Sequence, residues 1–68
     1  MAVDVEKLKN MDVSNIVRGT TLHQKAVGLV EQFGSDSDLL KEVEDSKDIE
    51  RADKATISMI LGLSLIHI

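Results

Sequence analysis

His23 is the residue in this chain best suited by type to move a proton or hold a metal, and its surroundings in the sequence equip it for neither. There is no cysteine to share a metal and no neighbouring histidine, and a lone imidazole at the start of a helix reads as a solvent-facing first-turn residue. The carboxylates are the next candidates. Eight of the twelve acids fall between Asp36 and Asp53, namely Asp36, Asp38, Glu42, Glu44, Asp45, Asp48, Glu50 and Asp53, against Lys41, Lys47 and Arg51. A calcium loop of the EF-hand type needs an oxygen ligand at its fifth position and glycine at its sixth. Counted from Asp36, those places hold Leu40 and Lys41. Ser14, Ser35, Ser37, Ser46 and Ser58 lie in no G-x-S-x-G elbow, and no histidine is placed to activate them. Gly19, Gly28, Gly34 and Gly62 are too scattered to cradle a phosphate. No catalysis, cofactor or metal is expected of these residues.

Charge excludes a further class. The formal net charge is −4, and the acidic stretch repels a phosphate backbone where nucleic-acid binding requires clustered Lys and Arg. Nucleic acid is therefore not expected as a partner. No basic segment followed by an apolar run opens the chain, so a secretory signal is not expected. The missing cysteines suit a reducing compartment, and the expected location is the cytoplasm.

What remains is the arrangement of apolar residues. In 68 residues there is one aromatic, Phe33, and no proline, so the core must be Leu, Ile, Val, Met and Ala at helical spacing. In "TTLHQKAVGLVEQFG", Thr21 and Gln24 have the spacing of a capping box. Leu22, Ala26, Leu29, Val30 and Phe33 then form one stripe, and Gly34 stands where a helix needs a residue at positive φ to stop. Gly28 inside this helix is either tolerated or a point of close helix approach. "SDSDLLKEVEDS" reads as a short helix from about Asp36 to Asp45, with Leu39, Leu40 and Val43 as its apolar positions. Ser46 offers a cap for "KDIERADKATISMILG", whose face is marked by Ile49, Ala52, Thr56, Met59 and Ile60. Upstream, Asp4 can cap a turn carrying Val5 and Leu8; Asp12 or Ser14 can cap another carrying Ile16 and Val17, closed by Gly19.

The expectation is an all-α fold, a small bundle of three or four short helices forming one domain over residues 1–62. A chain this short buries only about 60% of the surface its unfolded form exposes. The two main stripes therefore have too few partners within it. The expected function is a non-catalytic helical protein–protein interaction or structural module, the N-terminal part of a longer protein of bacterial or phage type. Its contact face is Leu22, Ala26, Leu29, Val30, Phe33, Ile49, Ala52, Met59 and Ile60, turned to a protein partner or to a second copy.

Two short stretches carry resemblances. The terminal "LSLIHI" resembles the conceptual translation of the transposase mosaic-end adapter used in preparing sequencing libraries. CTG TCT CTT ATA CAC ATC gives Leu63, Ser64, Leu65, Ile66, His67 and Ile68 in order, and in one common form of that adapter the next codon is TGA. The resemblance implies that residues 63–68 are a non-native tail, that the native chain continues past Gly62, and that His67 has no role. An unfitted tail can be deleted with a change in stability within roughly 0.5 kcal/mol. The preceding apolar run is too short for a bilayer, which needs about 20 residues, so no membrane is expected. "DKATISMILG" is similar to the recognition-helix segment of repressors of the lactose-repressor type, with Lys54, Ala55, Thr56, Ile57 and Ser58 matching in kind. That likeness implies, as the alternative reading, a helix-turn-helix domain with Lys54–Ser58 in the major groove. The sequence departs from the pattern in two places: "DSKDIERA" supplies no tight turn before the run, and Met59 stands where a basic residue would help hold phosphate.

Overall fold

The computed structural model describes residues 2–66; His67 and Ile68 of the terminal stretch lie outside the described residues. Its elements are α1 (Val5–Lys9), α2 (Gly19–Phe33), α3 (Leu39–Asp45) and α4 (Arg51–Leu63), so the fold is all-α, as the spacing of apolar residues implies. α4 packs against both α2 and α3, and α1 lies across α2 and α4.

Helix boundaries follow local chemistry where a side chain can reach a free backbone group. The Asp4 carboxylate accepts from the Lys7 amide at 3.1 Å and starts α1, and Asp38 does the same for α3 through the Lys41 amide at 3.3 Å. The expected helix start at Asp36 is thus three residues early, because Ser37 is otherwise engaged. Its hydroxyl donates to the Phe33 carbonyl, closing the end of α2. Gly34 adopts φ 93°, a region open to glycine at little steric cost, and its amide returns to the Val30 carbonyl at 2.8 Å.

The start of α2 corrects the sequence reading. Thr21 and Gln24 form no capping box; the helix begins at Gly19, preceded by Arg18 in the left-handed region with φ 57°. Two consecutive turns, Val13 to Ile16 and Ile16 to Gly19, deliver the chain there, and no helix forms over Ile16 and Val17. Gly19 opens α2 and does not close a helix before it. A Cβ on Gly19 would stand 2.4 Å from the Val13 carbonyl oxygen, so these turns require glycine at that position.

α4 also starts later than Ser46 suggests. The Ser46 hydroxyl accepts from the Asp48 amide within the linker, and the helix begins after Glu50. The buried face consequently turns. Ile57, Ile60 and Leu61 are inward, Ser64 continues the same stripe, and Ala52 and Met59 are exposed. Ile49 is buried from the linker, outside the helix.

The core comprises Val3, Leu8, Leu22, Ala26, Val30, Leu39, Val43, Ile49, Ile57, Ile60 and Leu61. Leu22, Ala26 and Val30 of α2 and Ile57, Ile60 and Leu61 of α4 therefore find partners within one chain, while Leu29, Phe33 and Met59 of the expected stripes stay partly or fully exposed. The short elements make the difference: Val3, Leu8, Leu39 and Val43 fill the spaces that two helices alone would leave open.

Of residues 63–66, expected as an unfitted tail, Ser64 and Leu65 pack against the domain, while the Leu63 and Ile66 side chains stay exposed. Leu63 is the last residue of α4, and the fully buried Ser64 donates its hydroxyl to the Ile60 carbonyl at 2.9 Å. Val3 and Leu65 form an isolated antiparallel bridge, in which the Asp4 amide donates to the Ser64 carbonyl at 2.7 Å and the Ile66 amide to the Ala2 carbonyl at 2.9 Å. No helix among the described residues is long and apolar enough to cross a membrane.

Candidate functional site

Turning one face of α2 toward the core leaves an adjacent face beside α3. Lys25, Leu29, Gln32 and Phe33 recur at steps of four, three and one, which places them on a single side of the helix. Opposite them stand Glu42 and Asp45 of α3 and the linker Ser46–Asp48, with Ile49 below. Together they line a cleft of about 420 Å³. Leu29 is half-buried, Ile49 is buried, and Phe33 remains 40% exposed although it is the chain's one aromatic residue. The charged groups at the cleft are Lys25 and Lys47 against Glu42, Asp45 and Asp48. Among the described residues the ion pair formed is Arg18–Asp53, so none of these five is paired. An apolar floor with unpaired charges at its edge has the core-and-rim layout of a protein interface.

The face chosen from the sequence is divided by the structure. Leu22, Ala26, Val30 and Ile60 belong to the core. Leu29, Phe33 and Ile49 are brought together at the cleft, while Ala52 and Met59 are exposed outside it. Lys25 and Gln32 were not singled out in the sequence, although their spacing from Leu29 and Phe33 carries the signal. The opposite wall, Glu42 and Asp45, had no such signal, because its position depends on how α3 folds back.

His23 is half-buried, correcting its solvent-facing assignment. Its Nε2 donates to the Leu8 carbonyl, joining α2 to the end of α1. A carbonyl only accepts, so the proton in this bond belongs to Nε2. This is a structural bond. No three His, Cys, Asp or Glu side chains among the described residues are grouped to hold a metal.

The Lys54–Ser58 run sits on the first half of α4. The Lys54 ammonium donates to the Glu44 carbonyl at 2.8 Å, where a cation complements the C-terminal end of α3. Ile57 is fully buried, Thr56 and Ser58 are half-buried, and Ala55 is exposed. α3 ends at Asp45 and α4 begins at Arg51, a longer join than the three or four residues of a helix-turn-helix.

Other depressions lie among the described residues. One, about 250 Å³, lies beneath the terminal bridge, lined by Val3, Leu39, Leu61 and Leu65 among others. Another, about 590 Å³, is bordered by Lys7, Asn10, Met11 and Leu63. Neither collects residues of the sequence-derived face. Comparison with protein-family models, with curated proteins and with solved structures finds no match to this chain.

Proposed function

We propose that this chain is a non-catalytic helical protein–protein interaction module that receives a partner helix in the cleft between α2 and α3, within the cytoplasm. The observation that carries the reading is the clustering of Leu29, Phe33 and Ile49, three apolar residues of the sequence-derived face, beneath a rim of unpaired charges. Amphipathic helices dock in such grooves through anchors at i, i+3, i+4 and i+7. Phe33 has the aromatic character of an interface hot spot and is free to be covered.

A library of displayed helical peptides panned against the purified full chain tests this. Enriched peptides should perturb the amide resonances of Leu29, Phe33 and Ile49, and Phe33→Ser should remove their binding. Enriched peptides that map elsewhere, or no enrichment at all, would refute a docking role for the cleft.

A further inference from the structure

The cleft's two walls differ in charge. Its α2 side presents Lys25, while α3 and the start of the linker present Glu42, Asp45 and Asp48, with Lys47 between the last two. None of these carboxylates has an ion-pair partner among the described residues. They belong to the stretch from Asp36 to Asp53, which holds eight of the chain's twelve acids. Any occupant that seats apolar anchors on Leu29, Phe33 and Ile49 must bring its own flanks against this wall.

A second copy of this chain fits that requirement poorly. Each copy carries a net charge of −4, and its cleft offers only Lys25 and Lys47 to the three carboxylates of another copy's wall. Like charges opposed at an interface are unfavourable, and complementary charges fix both partner choice and register. The geometry points instead to a different protein. Resting on the docking reading above, we infer that the cleft's occupant is a basic amphipathic helix. Its apolar stripe lies on Leu29, Phe33 and Ile49, its Lys or Arg residues face Glu42, Asp45 and Asp48, and a polar or acidic residue lies beside Lys25.

Two synthetic helical peptides test the charge assignment. They share the same leucine anchors at i, i+3, i+4 and i+7; one carries lysine and arginine along one flank, and its twin carries glutamate at those positions. Binding to the full chain is read by fluorescence anisotropy and by amide shifts. The basic peptide should shift Leu29, Phe33 and Ile49 and bind at least about tenfold more tightly than its twin, since several exposed pairs act together. That ratio should fall toward one in 0.5 M salt, where the Debye length is about 4 to 5 Å.

Glu42→Gln and Asp45→Asn change exposed side chains and leave the core untouched, so circular dichroism should be unaltered while the preference for the basic peptide narrows severalfold. Peptides binding within threefold of each other would overturn the assignment, as would basic-peptide binding that ignores both substitutions, or a homodimer shown by sedimentation to occupy the cleft. Failure of the basic peptide while library-selected helices of other charge still seat on Phe33 would overturn this inference and leave the docking reading standing. Absence of any seated helix would remove both.

Discussion

Arg18 and Asp53, 35 residues apart in the chain, meet through one guanidinium nitrogen placed 3.0 and 3.2 Å from the two carboxylate oxygens. Arg18 is also the non-glycine residue with positive φ among those described. The same residue thus ends the turn before α2 and ties it to the first turn of α4. A side chain in the left-handed region costs about 1–2 kcal/mol.

Arg18→Ala should lose the ion pair and keep the strained backbone, whereas Arg18→Gly should lose the pair and relieve the strain. Arg18 is 55% and Asp53 16% exposed, so the pair itself contributes at most about 1 kcal/mol. Urea denaturation should place the glycine variant about 1 kcal/mol above the alanine variant. Equal midpoints for the two would show that the left-handed conformation carries no cost here.

Gly19 and Gly28 should respond to alanine with opposite signs. A Cβ at Gly19 meets the Val13 carbonyl oxygen at 2.4 Å, and the turn must shift, costing about 1–3 kcal/mol. At Gly28 a Cβ meets nothing within 4 Å, so this is not a point of close helix approach. Gly28→Ala should stabilise by about 0.5–1 kcal/mol through helix propensity. Thermal melts of the two variants read the difference directly.

Truncation after Gly62 should destabilise the domain. It removes the buried Ser64 hydroxyl bond to Ile60, both bonds of the terminal bridge and the packing of Leu65 against the core. At about 1 kcal/mol per hydrogen bond the loss is about 3 kcal/mol before Leu65 is counted, a large share of what so small a domain possesses. Ser64→Ala provides a milder test and should cost about 1 kcal/mol. Stability unchanged in both variants would show that the bridge contributes nothing. Independently of packing, the adapter resemblance predicts that an intact genomic copy of the gene departs from this sequence after Gly62; a genomic "GLSLIHI" followed by a stop is the contrary outcome.

Asp12 should titrate below the ordinary aspartate value of 3.8, chiefly because its carboxylate accepts the Ser14 amide, with the Ser14 hydroxyl adding to the effect. A depressed value in the folded chain means that the ionised form supports the turn. Its contribution is fully present above the unfolded value and is lost as pH falls through the folded one. Carboxyl-carbon NMR should find Asp12 the lower of the two when compared with its unfolded peptide. Ser14→Ala removes the lesser cause and should raise the value only part of the way.

The sequence by itself marked the four segments that become helix, along with a turn over Ile16 and Val17 that does not, and where some of them stop. Asp4 is an N-cap with its donor three residues ahead, Gly34 supplies the positive φ that ends α2, and Leu22, Ala26 and Val30 share a buried face. Each is a local matter, fixed within one or two turns of chain. The cleft was half legible for the same reason: Leu29 and Phe33 belong to one helix and their spacing is enough to place them together.

The tertiary structure decided what local signals left open. The sequence offers Ser46 as the start of the last helix, but the helix begins after Glu50 and the inward face turns from Ala52, Thr56 and Met59 to Ile57 and Leu61, with Ile60 common to both and Ile49 buried from the linker. A helical period fixes the angles between residues but not the angle of the whole stripe relative to its neighbours. Lys54, bonded to the end of α3, helps set that angle, together with the packing of Ile57 into the core. The left-handed Arg18 has no local signature either. It lies within the second of two consecutive turns that lead to Gly19, and its side chain is held by an aspartate on another helix. Whether an apolar stripe meets its own chain or a partner is likewise a question of what lies opposite, which periodicity along one segment does not encode.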